Sequence, residues 1–309
     1  MTRARVIIDN DFSGDPDDLF HLAHHVLSPS VEIPFVIGSH LAPGDPFDPS
    51  ERQADNAAEV ARGLLGLLGS DVPVIAGSNR AMTAPDSPLR SPAAEAIVAE
   101  ALREDTGLPL YVAAGGGLTE VAGALLIEPA IADRLTVVWI GGPEYDESRT
   151  APGAPAIEYN LGIDVPAARA VLDSSVALWQ VPRDVYRQSL VSSAEIDARV
   201  RPHGPLGAHL AGAIDALRER AARRGLDLGE TYCMGDSPLV LLTALQTSFQ
   251  PDPGSSAWQF RPAPTITAEG RYGSPAPRAR DIRVFTRLDT RLMFEDLFLK
   301  LELFARKEH

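Results

Sequence analysis

The chain has 309 residues, 45% of them hydrophobic, and a formal net charge of −14, which provides apolar surface for a sizeable core in one large domain. That acidic balance excludes a nucleic-acid partner, which needs a basic face to displace counterions from phosphates. The lone cysteine, Cys233, cannot close an internal disulfide, the N-terminal apolar run turns acidic too soon for a secretory signal, and no stretch approaches the ~18 apolar residues of a membrane span. The expectation is a cytoplasmic protein without a membrane partner.

In chain order, apolar runs at 6–8, 33–37, 72–75, 110–113, 135–140 and 177–181 read as strands. Between them, helical periodicity covers 18–27, 50–68, 91–103, 118–128 and 165–174. This alternation predicts an α/β fold, an open, mostly parallel, doubly wound sheet flanked by helices, as a single domain over 1–309. Asp17 is placed to cap the first helix, since a carboxylate accepts from the free amides there. Further on, 208–224 reads as an amphipathic helix, and 282–301 as a strand, a turn at Asp289 and a closing helix. Residues 42–50 and 251–272, rich in turn formers, read as loops, the first a candidate rim or lid.

Behind the first strand, VIIDNDFSGDPDDLF (residues 6–20) crowds Asp9, Asp11, Asp15, Asp17 and Asp18 together. Like charges so close disfavour one another's ionisation unless a cation or a hydroxyl-rich ligand holds them, so the cluster suggests a divalent metal site. The spacing imitates a helix-loop-helix calcium loop, with Gly14 in sixth place, but the twelfth position is Phe20, not a bidentate carboxylate. An aspartyl-phosphate phosphotransferase would need a downstream lysine, and the first lysine is Lys300. The glycines of GGGLT (115–119) lack dinucleotide-binding spacing, yet they let carbonyl oxygens approach a cation. His21, His24 and His25 lack the glutamate of a zinc HExxH motif and read as packing or interface residues.

Three separated segments then agree. The first strand with its two carboxylate pairs, VAAGGGLTEVAGALLIEPAIADRL (112–135) and IEYNLGIDVPAA (157–168) resemble the calcium-dependent nucleoside hydrolases, the inosine-uridine-preferring group. VVWIGG (137–142) and GDSPLVLLTAL (235–245) fall in the matching order, so the resemblance spans essentially the whole chain. It implies an enzyme that hydrolyses the N-glycosidic bond of a ribonucleoside or related N-riboside in purine or pyrimidine salvage, with Ca2+ as cofactor. It also implies a homodimer or homotetramer.

Residue by residue, the resemblance makes Asp11 a calcium ligand and the base that activates calcium-bound water. Asp18, the Gly115 carbonyl and Asp236 complete the ligands, while Asp17, Glu158 and Asn160 hold ribose hydroxyls. The Gly115 role is indifferent to the side chain. Two extra residues between the carboxylate pairs make Asp15 a further candidate ligand, and Asp9 reads as scaffold, tying the loop through backbone amides. Ser39 or His40 stands where many relatives have an asparagine near the sugar. Gly235 replaces a histidine proposed in relatives to protonate the leaving base; His40, Tyr232 or solvent could supply that proton. Trp258 is a candidate for stacking on the base, whereas Trp139, inside an apolar strand, reads as core. A non-catalytic nucleoside or sugar sensor on the same calcium scaffold is the alternative.

Overall fold

The strand β1 (Ala4–Asn10) is buried along its entire length, as a central strand must be when helices cover both faces of a parallel sheet. The computed structural model describes residues 1–246 and 256–307. After β1 come α1 (Asp17–Val26), β2 (Val31–Glu32), β3 (Val36–Gly38), α2 (Gln53–Leu67), β4 (Val74–Ala76) and α3 (Pro92–Ala101). A second run holds β5 (Leu110–Ala114), α4 (Thr119–Ile127), β6 (Leu135–Ile140), α5 (Tyr159–Ile163), α6 (Val165–Asp173), β7 (Ala177–Val181) and α7 (Arg183–Tyr186). The hairpin strands β8 (Leu190–Ser192) and β9 (Thr231–Cys233) bracket α8 (Ser193–Arg199) and α9 (Gly204–Arg223), and α10 (Pro238–Thr243) follows. The chain ends with β10 (Ala257–Pro262), the small hairpin β11 (Thr265–Ile266) and β12 (Tyr272–Gly273), then β13 (Asp281–Arg287) and α11 (Thr290–Ala305).

Among the described residues the main sheet runs β10-β13-β7-β6-β5-β1-β3-β4, with β2 also paired to β1. All pairings in it are parallel except β10 with β13. Alternate residues of β1 face opposite layers. Val6 and Ile8 join the core built with α1, α2, α9, α10 and α11, and Ile7 joins the one built with α3, α4 and α6. From β1 the chain builds outward through β3 and β4, then returns to place β5 on the other side. The crevice between the carboxyl ends of β1 and β5 is therefore the topological switch point, where α/β sheets bind ligands. No helix among the described residues is long and apolar enough to cross a membrane.

Three expectations need correction. Pro16 holds the N-cap position of α1 and makes no side-chain cap bond, so Asp17 is the first helical residue. Its carboxylate is used elsewhere. The expected loop 251–272 contains an edge strand and half of a hairpin, β10 to β12; its residues 251–255 lie outside the described set. Helix α9 starts at Gly204 rather than 208, with a proline in its first turn, where the missing N–H costs nothing.

The close approach of α2 to β3 leaves no room for a side chain at Gly38. A Cβ on Gly38 would stand 2.3 Å from the backbone nitrogen of Ala58, and a helix backbone cannot yield without displacing its own packing. Gly38→Ala is expected to cost about 1–3 kcal/mol, as overpacking does. The readout is a lower urea midpoint at unchanged slope; an unchanged midpoint contradicts the packing argument.

Candidate active site

Asp11, Asp15, Asp17, Asp18, Gly115, Glu158, Asn160 and Asp236 all line one cavity of about 300 Å3 at the switch point. That volume is at the small end of the range for small-molecule sites. Asp11 follows β1 directly, Gly115 follows β5, and Asp17 and Asp18 stand in the first turn of α1, where the helix dipole favours negative charge. Asp236 arrives from just before α10. Asp11, Asp17, Asp18 and Asp236 are buried, while Asp15 is exposed at the rim.

Oxygens of Asp17, Asp18 and Asp236 lie within 4.8 Å of one another. Asp18 Oδ2 is buried without a hydrogen-bond partner, and the Asp17 Oδ2 accepts from the Asp236 backbone N–H at 3.0 Å. Burial raises the carboxyls of Asp18 and Asp236 well above the usual range, helped at Asp18 by the charges of Asp11, Asp236 and Asp17 and at Asp236 by those of Asp17 and Asp11. Burial first, then the charges of Asp17 and Asp45, pushes Asp11 up to about 8. Asp17 rises less, to about 6, because amide hydrogen bonds offset part of its desolvation. An all-oxygen, multiply anionic donor set with an orphaned carboxylate oxygen fits a hard cation such as calcium. Asp11 stands beside the tight trio rather than within it.

Glu158 and Asn160 are placed by α5. Glu158 is fully buried and caps that helix. Its Oε2 accepts from Gly142 and Leu161 N–H at 2.7 and 3.0 Å, and its Oε1 from Asn160 N–H and the Tyr186 hydroxyl at 3.2 and 2.9 Å. Four donors leave that carboxylate little capacity for a ligand. The Asn160 amide donates to the Gly115 and Ile140 carbonyls at 2.6 and 2.9 Å, which turns its Oδ1 toward other partners. Arg183 anchors the preceding segment by a two-pronged pair with Glu144 and a bond to the Pro155 carbonyl.

The structure does not bring His40 or Trp258 to the cavity. His40 is buried, with Nε2 paired to the Thr119 hydroxyl at 3.0 Å and Nδ1 to the Leu41 carbonyl at 2.9 Å, so both ring nitrogens are engaged. Trp258 lies on the edge strand β10, with the Arg283 guanidinium 4.2 Å over its ring. Asp9 is scaffold, but it accepts from the Ser39 hydroxyl at 2.8 Å rather than from loop amides. Trp139 is core, and its indole N–H holds the Gly116 carbonyl at 3.1 Å. The three histidines of α1 are fully buried packing residues, His24 paired with Asp296 and His25 with Thr243.

Sequence reasoning missed Asn10, Tyr159, Tyr186 and Arg187. Tyr159 and Tyr186 line the cavity, Tyr159 donating to Asp45 at 2.6 Å from across the rim loop. Tyr159 sits inside the Glu-x-Asn motif, and Asn10 inside the Asp-x-Asp triplet, so their positions were visible although their roles were not.

Comparison with known proteins agrees with this geometry. A curated inosine-uridine preferring nucleoside hydrolase of Leishmania major is 37% identical over 89 residues, 29% of this chain; the match covers 27% of that relative's length. Among solved structures, a purine-preferring ribonucleoside hydrolase from Gardnerella vaginalis superposes with a TM-score of 0.74 at 19% identity, over 98% of this chain and 99% of that one. A plant nucleoside hydrolase gives a TM-score of 0.71 at 16% identity, over 97% and 99%. The family described as inosine-uridine preferring nucleoside hydrolase matches residues 6–289, and the chain belongs to that family.

Proposed function

We propose that the protein hydrolyses the N-glycosidic bond of a ribonucleoside or related N-riboside, releasing base and ribose. Asp11, Asp18, Asp236 and the Gly115 carbonyl would hold calcium, with Asp15 a further donor at the rim. The observation that carries this reading is the convergence of that oxygen donor set with Asp17, Glu158 and Asn160 in a single cavity. When bound, calcium would neutralise the crowded carboxylates and acidify a water molecule. Asp11, whose carboxylate lines the cavity, would take the proton of the water that attacks the anomeric carbon. Departure of the base leaves positive charge on the ribose ring, which the surrounding carboxylates favour. Asp17 and the Asn160 Oδ1 accept ribose hydroxyls, and Glu158 acts by fixing Asn160, Gly142 and Tyr186.

In this reading the leaving base would face Tyr186, Arg187, Cys233 and Gly235, which line the cavity. Among the described residues, Arg187 is the one cationic side chain lining the cavity. A guanidinium does not release its proton near neutrality, so it stabilises negative charge on the departing base by hydrogen bonding rather than by proton transfer. Arg187→Met is expected to lower kcat on ribonucleosides about 10²-fold, as loss of one preorganised donor does. Hydrolysis of p-nitrophenyl riboside, whose leaving group needs no help, should be spared; equal losses on both substrates would remove Arg187 from this role.

The glycine at 235 favours a second reading, a sensor that binds nucleoside or sugar without turnover. A panel of ribonucleosides assayed for reducing sugar separates the two: release supports the hydrolase, and tight binding with no release supports the sensor. The hydrolase reading carries with it one catalytic unit over the whole chain, a cytoplasmic site of action and a homodimer or homotetramer, the last measurable by light scattering.

A further inference from the structure

Asn10, the last residue of β1, stands between Asp9 and Asp11; it is fully buried, and its amide is bonded at both ends. Its Oδ1 accepts the Asp11 N–H at 2.9 Å, and its Nδ2 donates to Asp236 Oδ2 at 2.5 Å. The same Nδ2 lies 3.4 Å from His21 Nε2. Burial pushes that imidazole down to about 3, so the ring is neutral and can offer an acceptor. These three neighbours agree on one orientation of the amide, nitrogen toward Asp236 and His21, oxygen toward Asp11.

The contact exists because position 115 has no side chain. A Cβ there would stand 2.2 Å from Asp236 Oδ2 and 2.4 Å from Asn10 Nδ2. Any residue but glycine would therefore occupy the volume in which the Asn10 amide meets Asp236. The Gly115 carbonyl is indifferent to side chain, as expected, but the position is not. Asp11 and Asp236 come from opposite ends of the sequence, and among the hydrogen bonds described above only the Asn10 amide touches both residues.

We propose that Asn10 is the positioning residue of the metal centre: through the space left by Gly115, its amide holds the Asp236 carboxylate against the backbone of Asp11, so that both carboxylates are set for one cation. This rests on the calcium reading above. Its consequence is that Asn10 and Gly115 act as one unit, since a change at either destroys the same contact.

The test is calorimetric titration of calcium chloride into metal-stripped wild type, Asn10→Ala, Gly115→Ala and the double variant, with thermal unfolding of each in the metal-free state. Each single change is expected to weaken calcium binding about 10- to 100-fold, the usual effect of losing a residue that orients a ligand. The double variant should bind no more weakly than the poorer single variant, because two changes to one contact do not add. Should Asn10→Ala fail to fold, His21→Phe replaces it. That change keeps a ring in the buried site and removes the acceptor, and it should lower affinity in the same direction. A folded Asn10→Ala, or in its place a folded His21→Phe, that binds calcium as tightly as wild type overturns the proposal, as do losses that multiply in the double variant. Wild type that binds no calcium overturns the functional reading itself, and this proposal with it.

Discussion

If Asp11 is the base and a calcium ligand, as proposed, Asp11→Ala is expected to lower kcat on ribonucleosides by about 10²- to 10⁴-fold, the range lost with a general base, and to weaken calcium binding in the same protein. The two losses have separate causes. Asp11 directly follows the buried strand β1, and its backbone is tied on both sides, the N–H to Asn10 Oδ1 and the carbonyl to the Gly14 N–H at 2.7 Å. Truncating the side chain leaves those bonds in place, so the fold should survive. Removing one of several crowded, buried like charges also relieves repulsion in the metal-free state. The expected signature is therefore a variant whose metal-free melting temperature equals or exceeds that of wild type while turnover is lost. Asp11→Asn keeps the volume and one ligand oxygen, so it should recover part of the calcium affinity and little of the rate. A variant that retains both calcium and wild-type kcat would remove Asp11 from the mechanism.

The position of Asp11 at the end of the first strand was legible because it is local. An apolar run followed at once by carboxylates marks a strand end wherever it occurs, and the alternation of runs and helical periods was enough for the parallel sheet. Other parts were not legible, for identifiable reasons. Strand β10 carries Pro262 at its end and exposes Phe260 to 59%. An edge strand tolerates both, since one side of its backbone needs no partner, and composition alone then reads as loop. Helices as short as α5 and α7 span too few residues to show a period. Tyr186 and Arg187 enter the cavity from a short helix with no motif of its own.

Glu158 and Asn10 show what a motif does not convey. The resemblance implied a sugar contact for the first and said nothing of the second; the structure gives the Glu158 carboxylate four protein donors besides its place in the cavity lining. Those bonds order the loop after β6 and the start of α5. Such roles depend on which distant groups meet, and no spacing within a motif encodes them. Asp236 is paired with Asn10 across a separation of 226 residues.

Stripping calcium with a chelator is expected to abolish turnover and to lower the melting temperature, both restored by calcium. A ligand at a hundred times its dissociation constant adds about 2.7 kcal/mol to folding stability, which corresponds to roughly 4 °C in a protein of this size. The physical source lies in the site itself. Without a cation, the carboxylates of Asp11, Asp17, Asp18 and Asp236 repel one another in a buried cluster. A cation held there converts that repulsion into attraction and ties the β1 and α1 segment to the residues before α10. Magnesium should restore less, because it demands near-octahedral geometry with shorter bonds and gives up its waters reluctantly. The same chelator should leave the melting temperature of Asp11→Ala almost unmoved, since that variant has already lost much of its affinity. If wild type, shown by emission spectroscopy to be metal-free, melts and turns over as before, the carboxylate cluster is not a cation site, and its crowding must be relieved by protonation instead.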